Sequence, residues 1–235
     1  MADSSELLSI IVPVYNEEAT VRSVLERLLS IELPVPREIL VVNDGSTDGT
    51  RAVLDAMRPV PGTLRILHAA VNGGKGRAIR TGFEQAEGTI VAIQDADLEL
   101  DPAQLGALVA PILAGETSVV YGSRFLCGSP AAPRLTIFAN KTLTAFTNLL
   151  YGSRITDMET CYKILRADLA RSLKLEANRF DIEPEITAKV LRRGLTIIER
   201  PVRFEPRSRA QGKKIGWRDG LRALQVLVRY RFGRS

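Results

Sequence analysis

Short apolar runs, rich in β-branched residues, alternate with stretches of helical periodicity through the first half of the chain. The apolar runs are LLSIIVPV (7–14), EILVVND (38–44), LRILHA (64–69), TIVAIQDAD (89–97) and SVVYGSRF (118–125). Strands of a parallel sheet are covered by helices on both faces and therefore read as continuous apolar runs. The repeated β–α order predicts an α/β fold, with a parallel-rich sheet and helices on both of its faces.

After about residue 125 the pattern changes to longer helical segments. Residues 134–152 and 216–232 carry apolar side chains at helical spacing. Residues 196–204 read as a strand, and Pro201, which cannot donate a hydrogen bond to a neighbour, places this strand at a sheet edge.

Length and composition indicate the class of protein. The chain has 235 residues, of which 45% are hydrophobic and 25% charged, an ordinary globular mixture that suits one domain. No run of about 18 apolar residues is present, and MADSSELLS lacks the basic flank of an export signal. The two cysteines, Cys127 and Cys161, are therefore expected to be reduced thiols in a cytoplasmic protein. We expect a single domain over 1–235, with halves at about 7–124 and 125–235.

The charge is unevenly distributed along the chain. Residues 192–235 carry 13 Lys or Arg against 3 Asp or Glu, a net charge of +10, whereas the preceding residues carry −5. A basic tail on an acidic body indicates contact with phosphate groups or an anionic membrane surface, although a solvated basic face would give the same count. We expect no nucleic-acid partner, because aromatic residues make up only 6% and no nucleic-acid-binding motif is present.

Three acids, Asp95, Asp97 and Glu99, occupy alternate positions where the run IVAIQDADLEL leaves its apolar part. Alternate residues of a strand share a face, so the pattern predicts three neighbouring carboxylates at the strand's exit. Like charges so close need a counter-charge, and Mg²⁺ or Mn²⁺ prefers such oxygen ligands. The alternative is a strand end whose acids are solvated or cap the next helix.

A glycine-rich turn, NGGKGRA (72–78), precedes a helical segment. It is not a P-loop, because Gly76 stands where Ser or Thr should follow the lysine. Lys75 and Arg77 could still help the helix N-terminus to receive an anion. The alternative is a tight turn with incidental cations.

Several motifs together resemble one family. SIIVPVYNEE, VVNDGSTDGT, NGGKGRAIRTGFEQAEG and IQDADLE, in this order, resemble the family 2 glycosyltransferases of the GT-A fold. VYGSRF, DMETCYKILR, RFDIEPEITAKVLRRG and RPVRFEPRSRAQGKKIGWRDG resemble the branch that glycosylates polyprenyl phosphates, such as the dolichol-phosphate mannosyltransferases. The likeness runs from about Leu8 to Leu227. It implies a Rossmann-like, mixed but mainly parallel sheet, with a nucleotide-sugar-binding half before residue 125 and an acceptor half after it.

The resemblance implies roles for individual residues. Asp95, Asp97 and Glu99 match the family's acidic metal site for Mg²⁺ or Mn²⁺, with Glu99 where the branch often has Gln. The residues implied to act in catalysis are Asp97, Arg124 and Asp157. The residues implied to bind the nucleotide sugar are Pro13, Tyr15, Glu17, Asp44, Lys75, Arg77 and Asp95. The residues implied to face the acceptor phosphate are Arg207, Lys213 and Lys214.

The implied reaction is an inverting transfer from a nucleotide-diphosphate sugar to a polyprenyl phosphate at the cytoplasmic membrane surface. A phosphate monoester has a second pKa of about 6 and is largely dianionic at neutral pH, so it needs little help from a base. Asp157 is then expected to position groups rather than to accept a proton. The helices at 134–151 and 216–232 are candidates for membrane contact or for plain core packing.

Two alternative functions stay open. The acceptor could be a soluble sugar or a protein hydroxyl, in which case Asp157 would be the leading candidate for the general base. The chain could also be a nucleotide-sugar-binding module without catalysis.

Overall fold

The computed structural model describes residues 6–57, 60–128, 130–206 and 217–233, except for the side chains of residues 217 and 218. Its centre is a seven-stranded sheet with the strand order β3-β2-β1-β4-β6-β5-β7. The strands are Leu8–Val14 (β1), Arg37–Asn43 (β2), Leu64–His68 (β3), Ile90–Ile93 (β4), Val119–Ser123 (β5), Lys163–Arg166 (β6) and Ile198–Pro201 (β7).

The sheet is mixed and mainly parallel, as predicted. Strands β1 to β4 run parallel to one another, and β7 runs parallel to β5. Only β6 is antiparallel, and it lies between β4 and β5. The predicted edge position of the strand that contains Pro201 is confirmed, because β7 is the last strand of the sheet. Since β6 joins strands of the first half, both predicted halves contribute to one sheet, and the division near residue 124 stays a prediction.

Eight helices lie in the described part of the chain. They are Val21–Ser30 (α1), Thr50–Asp55 (α2), Lys75–Gln85 (α3), Leu105–Leu113 (α4), Arg134–Tyr151 (α5), Ala167–Ser172 (α6), Ile182–Arg192 (α7) and Trp217–Phe232 (α8), and a 3₁₀ turn, Pro102–Gln104, precedes α4. Helix α3 packs on β1 and β2, α4 packs on β5 and β6, and α8 contacts both α5 and α7. None of the described helices combines the length and the apolar composition that a membrane crossing requires.

The apolar runs form the core. All four residues of β4 are buried, and in β1 only Pro13 is partly exposed. Complete burial of an Ile or Leu side chain contributes about 1.5–3 kcal/mol, so these central strands hold the fold together. A second, smaller apolar cluster joins α5, α7 and α8 and includes Leu143, Met158 and Leu227. The basic residues Arg207, Lys213 and Lys214 lie outside the described residues.

Candidate active site

A cleft of about 1140 Å³ opens at the carboxyl ends of β1, β2 and β4. Parallel strands end at the same edge of a sheet, so the loops that follow them meet there. The predicted site residues that line the cleft are Pro13, Tyr15, Glu17, Asp44, Lys75, Asp95, Asp97, Glu99 and Arg124. Nine positions scattered over more than a hundred residues are thus brought together, although their individual roles stay predictions.

The loops after β1 and β2 are tied to each other. The side-chain oxygen of Asn16 accepts a hydrogen bond from the backbone N–H of Thr47 at 2.8 Å. The backbone N–H of Glu17 donates to the hydroxyl of Thr50 at 2.8 Å. Asn16 also adopts a left-handed backbone conformation with φ 53°, which Asn tolerates better than most residues. These contacts fix the wall of the cleft that carries Tyr15.

Asp44 holds the glycine-rich turn. Its buried carboxylate accepts hydrogen bonds from the backbone N–H of Gly73 at 2.9 Å and of Gly74 at 2.6 Å. Gly45 beside it has φ +66°, and a side chain there would lie 2.6 Å from the backbone nitrogen of Asn72. Asp44 therefore organises the turn that begins α3. The nucleotide-binding role implied for Asp44 stays a prediction.

The glycines at the start of α3 permit close packing against the loop before α7. A Cβ atom at Gly74 would overlap the carbonyl oxygen of Asn178, and one at Gly76 would overlap that of Ala177. Arg77 lies apart from the cleft lining: its guanidinium donates to the carbonyl of Val71 at 3.2 Å. The side chain thus lies along the turn, and the predicted contact between Arg77 and the nucleotide stays a prediction.

Lys75 connects α7 to the loop after β4, residues 94–101, which carries Asp95, Asp97 and Glu99 and is called the acidic loop below. Its ammonium group lies 2.8 Å from a carboxylate oxygen of Asp95 and 2.7 Å from one of Glu183. Burial lowers the pKa of Lys75, but the charges of Asp95 and Glu183 outweigh burial and raise the pKa well above its ordinary value. Lys75 is therefore a fixed positive charge at the base of the cleft.

The three acids lie at the exit of the strand and line the cleft together, as predicted, but the expected alternation on a strand face was wrong. Strand β4 ends at Ile93, and Asp95, Asp97 and Glu99 lie in the loop after it. The carboxylate of Asp97 accepts the backbone N–H of Glu99 at 3.0 Å, which bends the loop. Within the described ranges, no three His, Cys, Asp or Glu side chains are close enough to hold a metal ion by themselves. The expected three-carboxylate site is thus not preformed here.

Arg124 and Asp157 form a buried ion pair beside these acids. Arg124 lines the cleft, whereas Asp157 lies behind it, fully buried. The backbone N–H groups of Thr156 and Asp157 donate in turn to the carboxylate of Glu199 on β7. The ring of Phe204 lies under the guanidinium of Arg124, 5.2 Å from its central carbon. Burial opposes the charge on Arg124, yet its bonds and charge interaction with Asp157 raise the pKa of Arg124.

Glu159 and Glu183 are site residues that sequence reasoning missed. Glu159 lines the cleft, and its Oε1 atom is buried without a hydrogen-bond partner among the described residues. Burial and the charge of Glu183 raise the pKa of Glu159 to about 7. For Glu183, a sequence signal existed in DIEPEITAKV, because an acid on the otherwise buried face of a helix requires a partner.

Helix α5 contributes apolar side chains to the lining of the cleft. Leu135, Ile137 and Leu143 line the cleft from this helix. Phe138 and Leu149, on the same helix, are 68% and 84% exposed. The predicted apolar stripe is therefore only partly core, and helix α5 presents large apolar side chains to its surroundings.

The chain is similar in sequence to characterised glycosyltransferases. A glycosyltransferase named AglD from Haloferax volcanii is 28% identical over 207 residues, covering 85% of this chain and 33% of the relative. The polyprenol monophosphomannose synthase of Mycolicibacterium smegmatis is 27% identical over 217 residues, covering 88% of this chain and 80% of the relative. The chain thus spans about a third of the length of the first relative and most of the second.

The fold is shared with a solved enzyme. Glucosyl-3-phosphoglycerate synthase from Mycobacterium tuberculosis, crystallised with Mn²⁺, uridine diphosphate and phosphoglyceric acid, superposes with a TM-score of 0.74 at 21% identity, covering 100% of this chain and 81% of that one. The family model described as glycosyl transferase family 2 matches residues 9–173, which include the acidic loop and the glycine-rich turn. The resemblance seen in the motifs is therefore confirmed, and the chain belongs to glycosyl transferase family 2.

Proposed function

We propose that this chain is an inverting glycosyltransferase that moves a sugar from a nucleotide-diphosphate sugar to a polyprenyl phosphate. The observation that carries the proposal is the mixed composition of the cleft. Its lining contains Lys75, Arg124 and the acids of the acidic loop, and also apolar side chains of α5. A charged donor and a lipid-linked acceptor require such a combination in one cavity.

The charged residues of the cleft suit a diphosphate when a cation is added. Asp95, Asp97 and Glu99 would repel a diphosphate by themselves, whereas Mg²⁺ and Mn²⁺ bind through one or two carboxylates together with substrate phosphates. A site that is not preformed among the described residues fits this mode, because the substrate completes it. Asp97 and Glu99 would hold the ion, and Asp95 would stay paired with Lys75. When bound, the ion supplies positive charge next to the leaving diphosphate.

The protein's own residues support a single in-line displacement. Negative charge grows on the diphosphate as its bond to the sugar breaks, and fixed cations stabilise that charge. The buried carboxylates of Glu183 and Asp157 hold Lys75 and Arg124, so these cations need no rearrangement during the reaction. A dianionic phosphate acceptor attacks without a base. The engagement of Asp157 by Arg124 agrees with a positioning role for Asp157.

The apolar side chains of α5 and the basic tail support a lipid acceptor at the cytoplasmic membrane surface. The relative from M. smegmatis is named for a polyprenol product. Exposed apolar side chains on α5 and α8, among them Phe138, Leu149 and Phe232, suit contact with lipid. Arg207, Lys213 and Lys214 would meet the acceptor phosphate, and basic residues near an anionic surface contribute about 1 kcal/mol each.

A transfer assay tests the proposal. Purified protein is incubated with UDP-glucose or GDP-mannose, with Mg²⁺ or Mn²⁺, and with undecaprenyl phosphate, phosphoglycerate or a simple sugar as acceptor. We expect glycosyl undecaprenyl phosphate of inverted anomeric configuration, no product in excess chelator, and release from anionic vesicles at high salt. Transfer only to a soluble acceptor would show that the acceptor is not a lipid phosphate. Donor binding without transfer or hydrolysis would indicate a non-catalytic module.

A further inference from the structure

Glu159 occupies a place in the cleft that the proposed reaction does not yet use. Besides the main cleft, it lines a smaller cavity of about 70 Å³, together with Lys75, Asp97 and Arg124. These are the residues that we propose to lie beside the diphosphate. The sugar of a donor is bonded to the diphosphate, so a side chain at this position faces the sugar rather than the base. A cavity of this size accommodates a hydroxyl or hydroxymethyl group, since a water molecule occupies about 30 Å³.

The backbone around Glu159 is held in place, but its carboxylate is incompletely satisfied. The backbone around it is fixed, because the ammonium group of Lys163 binds the carbonyl oxygens of Met158 and Thr160 at 2.8 Å and 2.5 Å. In the part of the chain that is described, however, the buried Oε1 atom has no hydrogen-bond partner. An unsatisfied buried oxygen is costly, and a ligand that donates a hydrogen bond would remove this cost.

The chemistry of the missing partner follows from charge. A phosphate would be repelled by the carboxylate, and the base of a nucleotide sugar is separated from the diphosphate by the ribose. A hydroxyl group can donate to the ionised carboxylate or accept from the neutral acid, so the contact is available in both protonation states. Sugar hydroxyl groups are therefore the donors that fit.

We propose that Glu159 is a specificity-determining residue that binds one hydroxyl group of the transferred sugar in the donor. This inference rests on the proposed function, because it requires a nucleotide sugar in the cleft. A site built to bind a hydroxyl group rejects analogues that lack it, because its own polar group is then left unpaired. Glu159 would therefore take part in choosing among hexoses.

Binding measurements with two kinds of ligand test the assignment. Calorimetry with UDP-glucose and UDP, and with GDP-mannose and GDP, in Mn²⁺, first identifies the donor that the wild-type protein binds. For E159A, we expect the affinity for that nucleotide sugar to fall about ten- to hundredfold, as for a lost hydrogen bond to a charged group, with the affinity for the matching nucleoside diphosphate nearly unchanged. E159Q, which keeps the side-chain volume, covers the case in which E159A fails to fold. The control E32Q changes an exposed glutamate and should bind like the wild type.

Monodeoxy analogues of the donor sugar then identify the hydroxyl. One analogue should bind the wild type more weakly and be insensitive to E159A, because the two changes remove the same contact. An equal loss of nucleotide sugar and nucleoside diphosphate in E159A and E159Q, or additive effects with every analogue, would overturn this inference and leave the proposed function intact. If the wild type binds no nucleotide sugar at all, both are overturned.

Discussion

Arg124 and Asp157 interlock through three hydrogen bonds. The guanidinium Nε and Nη2 atoms donate to the two carboxylate oxygens at 2.7 Å each, and the backbone N–H of Arg124 donates at 3.0 Å. A bidentate pair fixes both the position and the plane of a guanidinium. The carboxylate of Asp157 thus orients Arg124 and is not directed into the cleft.

The first prediction concerns this pair. D157N should lower kcat about 10²–10³-fold, as for loss of an oriented electrostatic group, because Arg124 is no longer held beside the leaving diphosphate. R124K should cost a similar factor, and the double variant should cost little more than either alone. Steady-state kinetics with separate measurement of donor affinity would check this, with D168N on α6 as an exposed control.

A general-base role for Asp157 predicts a different result. The D157N variant would then lose the acidic limb of its pH–rate profile, while R124K would retain it. Fully additive losses in the double variant would also contradict the positioning role.

The second prediction concerns the acidic loop. D97N should abolish transfer and remove the Mn²⁺ dependence of nucleoside diphosphate binding, because an amide is a weaker ligand for a divalent ion than a carboxylate. Calorimetric titration with and without Mn²⁺ measures this effect, and D168N again serves as the control. Unchanged metal-dependent binding in D97N would show that Asp97 is not a ligand.

The third prediction concerns the start of α3. G76A should lower the free energy of unfolding by about 1–3 kcal/mol, since the added methyl group would overlap the carbonyl of Ala177. G220A on α8 is the matched control, because among the described residues no atom outside the local helix backbone lies within 4 Å of its added methyl group. That change should be neutral or stabilise the protein by up to about 1 kcal/mol. Urea unfolding of both variants decides, and equal stabilities would refute the packing role of Gly76.

The fourth prediction concerns pH. Glu159 has its pKa raised from 4.5 to about 7 by burial and by Glu183 and Asp157, against the opposing charges of Lys163 and Arg124. The folded state therefore binds this proton more tightly than the unfolded state, and the resulting stability is lost as the pH rises toward 7. E159Q has no titrating group at position 159, so it should be more stable than the wild type at pH 8. The gap in stability between the two proteins should narrow toward pH 4.5. Thermal unfolding across this range measures the gap, and a constant gap would contradict the assignment.

Periodicity alone was sufficient to predict most of the sheet. Strands such as β1 and β4 are buried on both faces, so they appear in the sequence as continuous apolar runs. Strand β6 was missed, because KILR is only four residues long and begins with a lysine. Lys163 is buried there because backbone carbonyls bind its ammonium group and the ring of Tyr121 lies 4.5 Å from it. No local pattern reveals such a partner.

The site was predictable as a set of residues but not as a set of contacts. The acids after β4 were found by their spacing, yet the strand stops at Ile93 and the loop directs them. The ion pair between Lys75 and Glu183 joins positions about a hundred residues apart and depends on the packing of α7. Glu159 was passed over because its distinguishing feature, a buried oxygen without a partner, exists only in three dimensions.

The antiparallel strand β6 has a consequence for how the protein is made. Ile90 on β4 pairs with Arg166, and β5 pairs with the same strand on its other side. As the chain leaves the ribosome, β4 and β5 have open hydrogen-bonding edges until residues 163–166 follow, several seconds later at about 5–20 residues per second. Open edges invite pairing with other chains. We therefore expect the nascent chain to be exposed to aggregation until this short strand arrives, and the far edge of β5 to stay open until β7 follows.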